Sequence, residues 1–342
     1  MVQKRYLPVI WITLLISLFV ISIVSLALGP ASITVKQTVA IISTGPSYAP
    51  TKLFSAAQHK IIWNLRLPRI LTALVAGMVL AVSGMVYQAL FRNPMADPYV
   101  LGISSGAAFG VAFGAFLGFI GGATGVWQVP LAAFLGAAGT AWCIFILSGG
   151  VRRPPATLLL TGIALNFLLS ALMTLFMYLN RTQLQSIMQW TLGSFSTATW
   201  SKLLIMSVTA ALSIIPISLL TRELDILLLD EASALSIGVS VRTIRLILLV
   251  FSTLATSITV AFCGIIGFVG LMVPHIMRLI TGPRHTILLP FSLVGGALMM
   301  VSADTLARTV LGASELPVGI ITAIAGAPLF IVLLIQHKKE ER

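Results

Sequence analysis

Apolar runs of roughly 20 residues recur along the whole chain, and few folds can accommodate so many. They fall at about 7–29, 69–91, 99–121, 126–148, 156–179, 201–220, 243–263, 264–281, 286–308 and 317–336. Each approaches the ~20 residues a helix needs to cross ~30 Å of hydrocarbon. Strand-like alternation is absent, which argues against a transmembrane barrel. Helices satisfy their own backbone hydrogen bonds, as lipid demands of an open chain. With 9% charged residues and a mean hydropathy of +1.05, an ordinary soluble domain is excluded. The expectation is an all-α membrane protein with about ten transmembrane helices in one domain, residues 1–342. The seventh and eighth runs abut without a polar break, so the count of ten rests on dividing them at 263/264. The first run has a basic start at Lys4 and Arg5 but is too long for a cleaved signal peptide.

One stretch breaks the apolar rule. Between Thr221 and Arg245 lie Glu223, Asp225, Asp230 and Glu231, four of the nine acidic residues, together with Arg222, Arg242 and Arg245. A charged island between spans calls for a partner outside the lipid. Ten spans put both termini on one side. With the N-terminus cytoplasmic, thirteen of the 21 basic residues face inward. The positive-inside rule therefore favours an N-in/C-in topology and a cytoplasmic island.

The remaining chemistry is mostly exclusions. Cys143 and Cys263 sit in apolar runs with no disulfide or metal spacing, which suits small buried hydrophobes. There is no Ser–His–acid set, no HExxH and no phosphate loop, so neither catalysis nor a bound cofactor is expected. The formal charge of +12 is scattered over helix ends without a basic face, which argues against nucleic acid. Carboxylates are missing from span centres, where an ion-driven carrier places them. The energy source should lie in another chain.

On the outer side, Arg66 and Arg69 flank Pro68, and Arg308 follows Asp304 by four residues. They read either as interfacial side chains with a local Asp304–Arg308 pair, or as a positive rim for an acidic partner. Gly77, Ala81 and Gly84 share one helix, Gly102, Gly106 and Gly110 another, and Gly295 and Gly296 a third; such spacing lets backbones approach in lipid. Arg92-Asn93-Pro94-Met95-Ala96-Asp97-Pro98 is either a tight turn or irregular backbone beside a water path. Gln88 and Asn166 are amides that should find partners. His275 suits a structural hydrogen bond, and His59 reads as an exposed loop histidine. The polar segment Asn180–Trp190 suggests a helix on the outer surface.

Many of these segments, in order, resemble one family. They include Arg66-Leu67-Pro68-Arg69, Gly84 to Gln88, Asn93 to Pro98, Leu101-Gly102 and Trp190 with Gly193-Ser194. Further on come Gly267 to Arg278, Asp304 to Arg308, Glu315 to Gly319 and Gly326-Ala327-Pro328. The chain is similar to permease subunits of type II ABC importers for cobalamin, haem and ferric siderophores. The resemblance implies ten helices and a second permease subunit, identical or paralogous, with the path between the two. It also implies two cytoplasmic ATPase subunits and an extracytoplasmic substrate-binding protein, at the cell membrane. Residues 221–242 would be the coupling segment, with Glu223, Asp225, Asp230, Glu231, Ala234, Leu235 and Gly238 on the ATPase and the run Ile226–Leu229 as apolar anchor. Arg66, Arg69 and Arg308 would dock the binding protein. Asn93 and Met95 would narrow the inner end of the path, with a second constriction near Pro155 and Ala156. The small hydroxyl pair that some relatives carry at that constriction is missing here. The expected cargo is an iron complex, ferric siderophore or haem. Cobalamin or molybdate import within the family, and more distantly an ion-coupled carrier, are the alternatives.

Overall fold

The computed structural model describes residues 6–29, 31–47, 53–120, 127–228, 240–311 and 314–340. Helix α1 (Leu7–Ala27) is followed by short helices α2 (Val35–Thr44) and α3 (Ala56–Lys60). The chain then passes through a π-helical stretch, Ile61–Arg66, into α4 (Leu67–Leu90). A 3-10 turn (Pro98–Leu101) leads to α5 (Ile103–Phe116), α6 (Gln128–Leu147), α7 (Pro155–Leu179) and α8 (Leu184–Thr191). Next come α9 (Trp200–Leu219), α10 (Thr221–Leu227), α11 (Val241–Cys263), α12 (Val269–Thr281), α13 (His285–Thr309) and α14 (Val318–Glu340).

Every one of the ten expected spans has its helix. Among the described residues seven are long and apolar enough to cross a membrane; α5, α12 and the apolar part of α14 are shorter. Two of the short ones owe their length to unwound backbone. Before α5, Pro98 and left-handed Gly102 keep 98–102 out of the helix. Before α12, Gly264 and Phe268 both take positive φ (72° and 68°), which separates the seventh span from the eighth. The two irregular segments satisfy each other. The Tyr99 hydroxyl donates to Ile266 O at 2.7 Å and accepts from Ile266 N–H at 3.2 Å, while Ser194 N–H donates to Cys263 O. Non-helical backbone is tolerated at membrane depth when it is buried in protein this way.

Helix α4 is the centre of the bundle and is buried along most of its length. Its glycines explain how: a methyl on Gly77 would overlap the Gly296 carbonyl of α13, and one on Gly84 the Gly270 carbonyl of α12. Gly106 and Gly110 of α5 meet Gly136 and Ala132 of α6 in the same manner. In lipid, where hydrophobic burial does not drive helices together, such close approach supplies the dispersion energy. Helix α7 is the opposite case. Leu160, Ile163 and Phe167 point outward from it, and Cys143 of α6 is likewise exposed rather than buried.

The stretch between α1 and α4 folds over one end of the bundle. Thr34 with Gln37, and Ser55 with Gln58, form capping boxes that start α2 and α3. Ile33, Ile41, Phe54 and Ile62 make a small core beneath them. His59 is buried there, its Nε2 3.0 Å from Gly45 O and its ring stacked on Phe54, so the expected exposed histidine is an internal packing residue. The polar segment 180–190 does form a surface helix, α8, anchored by buried Ile187.

Candidate functional site

Helices α4 and α13 run antiparallel, and each end of the pair carries a polar cluster. At ~1.5 Å per residue, the 24 residues of α4 separate the clusters by about 36 Å.

The first cluster gathers Arg66, Arg69 and Arg308. Arg69 grips Asp304 sideways, Nε at 3.0 Å and Nη2 at 2.9 Å from Oδ1, and its Nη1 donates to Glu315 Oε2 at 2.8 Å. Arg308 Nε lies 3.1 Å from Asp304 Oδ2, so one carboxylate, 1% exposed, holds two guanidiniums. The other donors serve the end of α1. Arg66 donates to Leu26 O, Ala27 O and Ala31 O; Arg308 donates to Ser25 O, Ser25 Oγ and Leu28 O. Cations suit a helix C-terminus, where unpaired carbonyls carry partial negative charge. The local Asp304–Arg308 pair is therefore part of a larger buried network. Arg66 is not an interfacial snorkel but an internal clamp. All three arginines and Glu315 still line one cavity of about 330 Å³.

The second cluster lies at the other end and includes α10, the first part of the charged island. Leu224 and Leu227, three residues apart, are its buried anchor, while Leu228 is exposed. Helical periodicity thus replaces the expected consecutive run Ile226–Leu229, whose last residue lies outside the described residues. Asp225 turns toward the protein: Oδ1 accepts the His285 main-chain N–H at 2.9 Å and lies 2.6 Å from His285 Nδ1. It caps the first turn of α13. Arg92, just past α4, donates from Nε to Leu227 O at 3.0 Å and caps α10. Arg92 takes φ 47°, a left-handed conformation disfavoured for a residue with Cβ. Glu223 is half-buried, and its Oε2 finds no hydrogen-bond partner among the described residues. Asp230, Glu231, Ala234, Leu235 and Gly238 lie outside the described residues.

The expected inner constriction adjoins this cluster. Asn93 Oδ1 accepts the Met95 N–H at 2.9 Å, an Asx turn that fixes Asn93-Pro94-Met95. Asn93 is exposed and Met95 half-buried. Pro155 starts α7 and shares a cleft with Leu90 and Phe91, immediately before Arg92; Ala156 beside it is exposed. Asp97 is buried in the same turn and accepts the Tyr99 N–H at 2.8 Å. Burial pushes its carboxyl up to about 6, against the opposing pull of that bond. Behind the turn, Gln88 donates to Leu271 O and accepts from Arg278 Nη1 at 2.9 Å, linking α4 to α12.

Neither His285 nor the tie from Arg92 to α10 was among the features expected from the sequence. A histidine opening a helix after Pro283 was the available signal for the first; the second leaves no local trace.

Comparison with known proteins gives a concordant result. A family model described as the FecCD transport family matches residues 14–336. The hemin transport system permease protein HmuU of Yersinia pestis is 41% identical over 282 residues, covering 82% of this chain and 84% of the relative. The molybdate import system permease protein MolB of Haemophilus influenzae is 36% identical over 340 residues, 98% of each chain. A solved structure described as an inward-facing metal-chelate type ABC transporter superposes with a TM-score of 0.83 at 35% identity, over 96% of this chain and 99% of that one.

Proposed function

The chain belongs to the FecCD transport family and is a multi-pass membrane permease of an ABC importer; from that premise we propose that its cargo is an iron complex, a ferric siderophore or haem. The identity to a hemin permease supports this choice. So does the wall that α7 presents, where Leu160, Ile163 and Phe167 are exposed and the amide of Asn166 is half-buried. A weakly polar wall suits a bulky cargo that must pass without sticking, whereas selection needs convergent polar groups. Selection then falls to a separate extracytoplasmic binding protein. The second reading, molybdate, is favoured by the relative matched over 98% of both chains; cobalamin is the further alternative within the family. An ion-coupled carrier is disfavoured because both oxygens of Asp304 are engaged by arginines.

One observation carries the mechanism. The island helix α10 is tied through Arg92 and Asp225 to the inner ends of α4 and α13, and the outer ends of those helices bear Arg69 and Arg308. Two ATPase subunits would act on α10 and on the residues after it, Asp230, Glu231, Ala234, Leu235 and Gly238 among them. Their movement reaches Arg92 and, one residue on, the Asn93–Met95 turn, which with Pro155 and Ala156 forms the inner gate. The binding protein would land on the face bearing Arg66, Arg69 and Arg308. A second permease subunit would complete the path against the exposed faces of α7 and α14.

The test is uptake in proteoliposomes holding the permease, its ATPase and its binding protein, with haem, a ferric siderophore, cobalamin and molybdate offered in turn. ATP-dependent accumulation of an iron complex is expected. Accumulation of molybdate or cobalamin alone would transfer the cargo to the second reading. Uptake driven by an ion gradient without ATP would overturn the importer mechanism.

A further inference from the structure

Two of the three guanidiniums in the outer cluster are committed to the fold. Arg66 donates to three main-chain carbonyls, and Arg308 to two besides its pairing with Asp304. Asp304 itself is buried and held from two sides. The contact between Arg69 and Glu315 differs. Its 2.8 Å bond uses Nη1, the outer arm of the fork, and the Glu315 side chain is 37% exposed against 11% for Arg69. The backbone around Glu315 is anchored, with Leu316 N–H on Ala307 O and Val318 N–H on Gly193 O. Glu315 also borders a second cavity, of about 480 Å³, whose lining includes Ser186, Gln189, Ser194, Ser196 and Thr197. Hydroxyl and amide donors there could receive a carboxylate that lets go of Arg69.

We infer that Glu315 occupies, in the undocked permease, the position on Arg69 that a carboxylate of the extracytoplasmic binding protein takes on docking. The inference rests on the docking reading above and adds how the surface is made ready and who the competitor is. A guanidinium offers two edges to carboxylates. On Arg69 the Nε–Nη2 edge belongs to buried Asp304, so an incoming carboxylate has only the Nη1 edge and must replace Glu315 there. The exchange is one carboxylate for another, so the charge in the arginine cavity is unchanged. Glu315 turns toward the hydroxyl and amide groups of the neighbouring cavity without backbone movement. The partner feature is thus a single acidic side chain aimed at Arg69, and Glu315 keeps docking weak enough to reverse after delivery.

The experiment measures the Kd of fluorescently labelled binding protein from the same transport system for the full permease–ATPase complex in nanodiscs. Wild type is compared with Glu315→Gln, Glu315→Ala, Arg69→Ala and the Arg69→Ala/Glu315→Gln double variant. Removing an exposed competing partner should lower Kd roughly twofold to fivefold in both Glu315 variants. Arg69→Ala should raise Kd, and Glu315→Gln should have no effect in the Arg69→Ala background. If Arg69→Ala raises Kd while both Glu315 variants leave it unchanged or raise it, the exchange is wrong and the docking face stands. If Arg69→Ala leaves Kd unchanged, the docking face is wrong and the exchange falls with it.

Discussion

The carboxylate of Asp225 sits on the first turn of the helix that begins at His285, accepting its main-chain N–H at 2.9 Å. An acid from the charged island is therefore spent on the permease's own frame rather than left entirely for a partner. The contact joins the island to α13 at this point.

That contact gives the first prediction. Asp225→Ala removes a helix cap worth roughly 0.5–2 kcal/mol and with it the tie between α10 and α13. In proteoliposomes with the ATPase and binding protein, cargo moved per ATP hydrolysed should drop while hydrolysis continues. Asp225→Asn keeps an acceptor for the His285 N–H and should fall between. An unchanged ratio in the alanine variant would remove Asp225 from the transmission path.

Asp304 should be the least replaceable carboxylate among the described residues. It is 1% exposed and answers both Arg69 and Arg308. Removing one partner of a buried charge pair typically costs about 3–5 kcal/mol, a large share of the ~5–15 kcal/mol that holds a domain folded. Asp304→Ala should sharply reduce monodisperse protein in detergent and lower its melting midpoint by several degrees. A variant as stable as wild type would show that the two arginines find other acceptors.

Two glycines should behave oppositely. A methyl on Gly84 meets the Gly270 carbonyl, which is backbone and cannot yield without parting α4 from α12. Overpacking of this kind costs about 1–3 kcal/mol, so Gly84→Ala should unfold at lower temperature. Gly139 of α6 has nothing within 4 Å of the position a Cβ would take. Gly139→Ala should be neutral or slightly stabilising, because alanine is the better helix former. Equal melting of the two variants would refute the close-packing account.

The turn before α5 predicts a pH dependence. Burial raises the Asp97 carboxyl from 3.8 to about 6, so the native state holds its proton where the unfolded chain has released it. Stability should decline as pH rises from about 4 through about 6 and level off above. Asp97→Asn cannot ionise and should flatten that part of the melting profile. A slope that persists in the asparagine variant would place the titration elsewhere.

Much of the architecture was legible in the sequence because lipid imposes one length and one composition on every span. The run from Leu7 to Ala27 needs no tertiary information to be read as a helix. The border between the seventh and eighth spans was legible at 263/264, where α11 ends, but the unwound stretch after it was not: Gly264 to Phe268 is as apolar as its flanks. That break is made by Tyr99 and Ser194, which reach it from distant parts of the chain. The same limit governs the sites. Arg66, Arg69 and Arg308 were visible as unusual arginines, but Arg69 meets Asp304 across 235 residues and Arg66 meets Leu26 across 40. Local pattern supplies the cations; only the fold assigns their anions and carbonyls. Asp225 was read as one acid of a surface because its partner, His285, lies 60 residues away.

The contact of Gly77 with Gly296 falls midway along both α4 and α13. Beyond it on one side the two helices are riveted by Arg69 and Asp304; on the other they are held together through α10, by Arg92 and Asp225. A pair pinned in this way would work as tongs with one end locked. At the waist the two glycines bring backbone against backbone, with only Ala81 and Met300 beside them, and Pro290 removes a backbone bond from α13 between the waist and His285. On the coupling mechanism proposed above, opening would be confined to the jaws that α10 bridges. On that proposal a push on α10 would spread or close them beside Asn93 while the outer face kept its shape, so a docked partner would stay engaged while the inner end moved.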